Sequence, residues 1–480
     1  MPDDAIGRRP WDLLVVGAGT AGLIGAQTAA ALGARVLLVE RDRFGGDCLW
    51  TGCVPSKALL AAGHAAADAR AAARYGVRAD GVTVDAPAVL AHVRRAIAAI
   101  EPVDSPDAVR RSGTRVTAGT VRFTGRGSAE IDGRRVRFRR ALVATGSAPT
   151  LPDLPGLAEA RPLTTDSFWD QADLPERLAV LGGGTSGCEL AQAVARLGVR
   201  VTVVETADRL LGGEDPDASA AVGEALARDG VQVRTGTAVM RVEDRRLVLA
   251  DGGDVGFDRL LVATGRRPRT AGLGLDAAGI DVDEGGAVVV DAALRTSNAR
   301  IWAAGDVTGH PQLTHLAGVH GSLAAGNAVL GLRRTVDLSA VPRVTYTQPE
   351  VASVGEPTSD VGSGRTVLTR RLRSADRAIA EQNTDGFSRL VVDGRHRVRG
   401  ATVVGPRAGE ALAELTLAVT KGLTTSDLTS AIHPYPTYAD PQWNAAIADA
   451  RGRLTRPAAR AVIGALLGAR RLSAVLRRDG

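Results

Sequence analysis

This chain of 480 residues has few lysines, few cysteines and no long apolar run, and each shortage narrows what it can be. Only two of its 59 basic residues are lysines, Lys57 and Lys421, so arginine supplies the generic positive charge. A lysine at 57 therefore calls for a chemical reason, because ammonium and guanidinium differ in size, hydration and proton affinity. The three cysteines are as sparse: Cys48, Cys53 and Cys188. Two of them lie within ten residues of Lys57, a clustering that scattered structural use does not predict. The first apolar stretch, Trp11 to Val16, is too short for a signal or a span and runs straight into Gly17. A cytoplasmic location is the resulting expectation.

A net charge of +6 suggests nucleic acid until it is located. Residues 451–480 hold eight arginines and one aspartate, and the remaining body is close to neutral. No nucleic-acid partner is expected, and only the tail at 453–480 is basic. Residues 461–478 fit an amphipathic basic helix lying on a membrane surface, a helix packed on the protein itself, or a disordered tail.

The length accommodates two or three domains. Residues 11–40 read as strand, glycine turn, helix and strand, with Gly17, Gly19 and Gly22 in the turn and Glu40 closing the unit. The same unit returns from Leu178, with Gly182, Gly184, Gly187 and Glu205; in both copies the first glycine and the glutamate are 23 positions apart. Glycines let a backbone approach a pyrophosphate, the helix N-terminus stabilises its charge, and the glutamate accepts ribose hydroxyls. Two such sites imply two dinucleotides; the bland alternative leaves one fold empty. Each unit is followed by an Ala-Thr-Gly strand end, at Gly146 and Gly265, and Ile301 to Asp306 forms another short strand ending on glycine and acid. From about Val341 shorter alternating strands and a helix near 410–421 indicate a separate α+β domain.

The most specific segment runs from Gly45 to Lys57 and contains Cys48, Gly52, Cys53 and Pro55. In a regular helix, residues five apart have Cα atoms ~8.6 Å apart, beyond the ~7 Å reach of a disulfide, so the pair needs an irregular turn. Gly52 and Pro55 supply one. Buried inert thiols are the alternative to a redox pair. A helix start and a neighbouring lysine favour thiolate, and with it catalysis.

These motifs together resemble the pyridine nucleotide-disulfide oxidoreductases, the family of lipoamide dehydrogenase, glutathione reductase and mercuric reductase, over about residues 10–450. The resemblance implies an α/β chain with two Rossmann-like domains, for FAD and for NAD(H) or NADP(H), and a C-terminal α+β dimerisation domain. The implied division is 1–155 and 271–335 for FAD, 156–270 for the nicotinamide and 336–452 for the interface of a homodimer. It also implies Cys53 as the flavin-side sulfur, Cys48 as the interchange thiol, and Lys57 near the flavin paired with Glu189. Asp306 would hold the ribityl chain, and Thr314 and His315 the pyrimidine end. No metal site is implied, and Cys188 reads as packing.

Lipoamide dehydrogenase and glutathione reductase end on His-Pro-Thr and a glutamate, whereas this chain has His433-Pro-Tyr435-Pro-Thr437 and Asp440. Tyr435 then falls in the histidine's place, Asp440 would orient whichever group acts, and His433 lies two positions early. That departs from ordinary lipoamide dehydrogenase or glutathione reductase activity. Mercuric reductase is similar in the tyrosine, but no cysteine follows Cys188 to hand on a soft metal. A disulfide reductase is the leading expectation. A metal reductase, a quinone reductase or diaphorase, and a flavoprotein docked by its tail are the alternatives. Glu205 favours NADH over NADPH.

Overall fold

The computed structural model describes residues 9–359 and 361–476, which fall into two units: 9–211 with 226–337, and 212–225 with the residues from 338.

The first unit opens with β1 (Trp11–Val16), α1 (Thr20–Ala31) and β2 (Val36–Glu40). A helical stretch follows: α2 (Gly46–Trp50), α3 (Cys53–Ala71), α4 (Ala86–Asp104) and α5 (Pro106–Arg111). Then come β3 (Arg115–Ala118), β4 (Val121–Gly125), β5 (Ser128–Ile131) and the long β6 (Arg134–Val143). Parallel strands stand in the order β3-β2-β1-β6, and the far half of β6 continues into an antiparallel meander with β5 and β4. β1 shows why the sheet is buried on both sides: Leu14 and Val16 feed one core and Leu13 and Val15 the other.

The pattern repeats after a crossing made by β7 (Ser147–Pro149). β8 (Leu163–Thr164), β9 (Arg177–Leu181), α6 (Thr185–Arg196), β10 (Arg200–Val204), α7 (Pro216–Arg228) and β11 (Gln232–Arg234) lead to a meander. That meander is β12 (Val239–Glu243), β13 (Arg246–Leu249) and β14 (Asp254–Gly256), and β15 (Arg259–Val262) completes a parallel sheet ordered β11-β10-β9-β15-β8. β16 (Arg266–Pro268) pairs antiparallel with β7, so outgoing and returning chain form one ribbon. After α8 (Leu275–Ala278), β17 (Ile301–Ala303) rejoins the first sheet beside β6, and α9 (Thr314–Leu330) lies along α1.

The second unit is an antiparallel sheet of β18 (Arg343–Thr345), β19 (Glu350–Gly355), β20 (Arg365–Arg371), β21 (Phe387–Asp393) and β22 (Val398–Gly405), ordered β18-β19-β22-β21-β20. Its helices are α10 (Asp376–Ala380), α11 (Ala408–Lys421), α12 (Thr425–Ser430), α13 (Asp440–Leu454) and α14 (Pro457–Leu476). Leu412 and Leu415 of α11 and Ala445 and Ala446 of α13 share a core with Leu390, Ala401 and Val403 of the sheet. The segment 212–225, grouped by sequence with the nicotinamide domain, goes with this unit. Buried Asp215 accepts from Arg389 at 2.7 Å and from Thr358 at 2.6 Å, and Glu214 pairs with Arg343 at 2.9 Å. α14 is almost wholly exposed, and the Arg477 and Arg478 end of the expected tail helix lies outside the described residues. No described helix is long and apolar enough to cross a membrane.

Candidate active site

The two glycine turns have one geometry. Gly17 and Gly182 take φ of +101° and +111°, where a side chain is strained, and Gly19 and Gly184 cap α1 and α6 in the same extended conformation. A Cβ on Gly22 would stand 1.8 Å from the Gly17 carbonyl oxygen, and one on Gly187 2.0 Å from that of Gly182. Neither helix start has a side-chain cap from its N-cap residue, which is a glycine in both. Glu40 accepts from Ala18 N–H at 2.6 Å, and Glu205 accepts from Gly183 N–H at 2.6 Å and Ala207 N–H at 2.8 Å.

A cleft in the first unit runs past Gly17, Gly19, Glu40, Cys48, Gly146, Asp306 and Thr314. Its glycine cradle, open helix terminus and terminal carboxylate fit a bound dinucleotide along its length, the first expected for FAD. Asp306, where burial raises the carboxyl, accepts from Ser147 Oγ at 2.7 Å. Gly146 and Gly265 both have left-handed φ, and the ribbon ties them together: Arg269 N–H donates to Gly146 and Thr150 N–H to Gly265, both at 2.9 Å. His315 is exposed at the start of α9 and is not among the residues that line the cleft.

Cys48 ends up beside Cys53 because α2 stops at Trp50 and α3 restarts at Cys53 after Gly52, the irregular turn the spacing requires. Both thiols are free. The pair is electrically lopsided. The hydrogen bond from Cys48, then the Thr314 hydroxyl at 3.2 Å and the Lys57 charge, lower the Cys53 thiol to about 6 against the pull of burial. Cys48 is held far above the ordinary thiol range, first by that same bond, then by burial, the Cys53 charge and Asp104. The shared proton thus stays on Cys48. Lys57 Nζ bonds the buried Glu189 carboxylate at 2.7 Å. Burial pushes the Cys188 thiol up to about 12, where it packs against Gly183 O as an inert group.

Next to Cys48, Asp47 is gripped by Arg266 and Arg269, and both arginines also pair with Asp166, at 2.9 and 3.2 Å. This quartet was missed in the sequence; its only signal was charge at Asp47 and after Gly265. In the second unit the expected grouping of Asp440 with Tyr435 and His433 does not form. Asp440 is buried at the start of α13 and accepts from Thr437 N–H and Oγ at 3.1 and 3.0 Å, and it touches Tyr435 only through its charge. The reason is local: a carboxylate at a helix N-terminus is best used on the turn that precedes it. His433 instead meets Glu414 at 2.7 Å and stacks on Trp443, while the Tyr435 hydroxyl donates to Asp376, which raises its pKa.

Residues 11–321 match the family described as pyridine nucleotide-disulphide oxidoreductase, and residues 341–446 match its dimerisation domain. The chain is 39% identical over 447 residues to a mercuric reductase of Streptomyces lividans, covering 90% of this chain and 94% of the relative. It is 35% identical to a dihydrolipoyl dehydrogenase of Chlamydia muridarum, covering 90% and 95%. Among solved structures it is similar to LpdA from Mycobacterium tuberculosis, with a TM-score of 0.82 and 29% identity over 90% of this chain and 98% of that one. With paired dinucleotide turns, a cysteine pair set between them and matches along nearly the whole length, the chain belongs to the pyridine nucleotide-disulphide oxidoreductases, FAD-dependent enzymes that use a pyridine nucleotide.

Proposed function

We propose that this chain is an NADH-dependent reductase of a disulfide-type substrate, in which Cys48 meets the substrate and Cys53 keeps the electron pair on the cofactor side. The lopsided cysteine pair carries the reading: a thiolate at Cys53, a proton on Cys48 and Lys57 nearby. Bound FAD supplies the two-electron relay between nicotinamide and thiols. Gly17, Gly19, Gly22 and the start of α1 would hold its pyrophosphate and Glu40 a ribose. Gly146, Asp306 and Thr314 would follow along residues 1–155 and 271–335, with His315 at the rim. Gly182, Gly184, Gly187, Glu205 and Gly265, within 156–270, would hold the nicotinamide partner. The Glu205 carboxylate favours free ribose hydroxyls and repels a 2′-phosphate. Residues 336–452 would join two copies, and Tyr435 or His433 of the second copy would exchange protons with the substrate.

The kinship with mercuric reductases supports a second reading, reduction of a soft metal ion, which the lack of any cysteine after Cys188 weighs against. Steady-state turnover of a panel of disulfides, quinones and Hg(II) decides between them. Cys48→Ser should lose disulfide turnover, and Cys53→Ser should also lose the long-wavelength absorbance of the anaerobically reduced protein. Full disulfide turnover in Cys48→Ser would overturn the proposal in favour of a diaphorase or quinone reductase.

A further inference from the structure

Resting on the reading that Cys48 and Cys53 cycle between dithiol and disulfide, we propose that Arg266 is a positioning residue. It braces the short helix that bears Cys48 against Asp306, on the cofactor side, and so keeps the two sulfurs within closing reach of each other. α2 has five residues, set between a left-handed Gly45 and the break at Gly52. A helix that short does not hold itself in water, so its place is fixed from outside. Arg266 lies on β16, the returning strand of the ribbon, and all five of its N–H donors are engaged. Nη2 bonds Asp47, and also the Ser147 carbonyl at 3.1 Å. Nη1 bonds Asp166 at 2.9 Å and Thr165 Oγ1 at 3.2 Å, and Nε donates to Ser147 Oγ at 2.9 Å.

Ser147 Oγ in turn donates to Asp306 at 2.7 Å. An unbroken chain of hydrogen bonds therefore runs from Asp306 through Ser147 and Arg266 to Asp47, the residue before Cys48. Arg269 repeats the grip, at 3.2 Å on Asp47 and 3.2 Å on Asp166. The far end of α2 is held as well: Thr51 Oγ1 donates to Asp166 at 3.5 Å, and Thr51 O accepts from Trp169 Nε1 at 2.8 Å. Asp47, Cys48, Thr51, Asp166, Arg269 and Asp306 all line the one cleft, so the brace is part of its wall. Only the flat guanidinium fork reaches so many partners at once; an ammonium is a point charge with three donors.

The brace acts on the closing of the pair. Sulfurs already placed by the fold lose little freedom when they join, so closure of a held pair is favoured over closure of a loose one. Releasing α2 lowers the equilibrium constant for closure and leaves the Cys48–Cys53 disulfide easier to reduce.

The test is the midpoint of the Cys48–Cys53 couple in full-length, flavin-loaded protein. It is equilibrated anaerobically with mixtures of reduced and oxidised dithiothreitol and read by alkylation and peptide mass spectrometry. Two electrons pass from the Cys48 thiol and Cys53 thiolate to oxidised dithiothreitol, which opens to its dithiol with the Cys48 proton and one from solvent. Asp47→Asn and Arg266→Met should each lower the closing constant about tenfold, an upward shift of about 30 mV. The double variant should go little beyond the larger single shift, because both changes remove one shared contact. Arg266→Lys, which keeps the charge and loses the fork, should fall between wild type and Arg266→Met. Arg177→Met breaks an ion pair with Asp258 of 2.7 Å at the start of β9; it is the control for general loosening and should leave the midpoint unmoved. An unmoved midpoint in Asp47→Asn, additive shifts in the double variant, or an equal shift in Arg177→Met would overturn the assignment, and Asp47→Asn alone decides if Arg266→Met does not fold. The two levels are separable. If Cys48 and Cys53 of the wild type never close on each other at any ratio, the disulfide reading fails. If they close with one midpoint in every variant, only the brace falls.

Discussion

Cys53 owes its lowered pKa to several neighbours, and their order makes a prediction. Its thiolate persists above about pH 6 and is lost as pH falls through that value, so the far-ultraviolet thiolate absorbance of the reduced protein should titrate near there. Removing the first cause in Cys48→Ala should raise the midpoint further than removing the charge in Lys57→Met; the reverse order would show that Lys57 dominates. Among single residues, those whose placement depends on sequence neighbours were legible, as with Cys48 and Cys53 on either side of the break at Gly52. Partners brought together by folding were not. His433 lies 19 residues from Glu414 and Tyr435 59 from Asp376, and no spacing rule joins such pairs.

At the level of elements, the strand, glycine turn and helix of each dinucleotide unit declared themselves, because the spacing of glycines and the buried strand runs are local properties, whereas helices such as α4 and the meander of β12, β13 and β14 did not. Gly22→Ala and Gly187→Ala place a methyl in the same impossible contact, but in different turns. Each should cost about 3 kcal/mol, the upper range for ordinary point changes. Gly22→Ala should lower flavin content, while Gly187→Ala should raise the KM for the nicotinamide with flavin retained; a shared phenotype would contradict two separate sites. The start of α13 makes the opposite case, a residue taken from sequence as catalytic that the fold uses as an anchor. Asp440→Asn should destabilise by about 1–3 kcal/mol in urea titration by weakening its bonds to Thr437. Disulfide turnover should remain near wild type, since neither His433 nor Tyr435 bonds to it.

For the whole molecule, the repeated β-α-β design predicts that both dinucleotides are read in the same way, with a closing carboxylate on a ribose. NADH should therefore give the higher kcat/KM, and a preference for NADPH would show that Arg209, four residues beyond Glu205, outweighs the carboxylate. The order of the two parallel sheets and the antiparallel sheet after them was legible because motifs arrive in sequence; the affiliation of residues 212–225 was not, since it rests on Glu214 and Asp215 finding Arg343 and Arg389 far along the chain. That affiliation matters to anyone recombining relatives of this enzyme. A chimera joined only near residue 338 would receive a foreign sheet with no matching arginines, and Asp215 would be left buried and ionised without its counter-charge. Exchangeable modules in this chain are interleaved, so a viable graft must carry the short piece at 212–225 together with everything after 338.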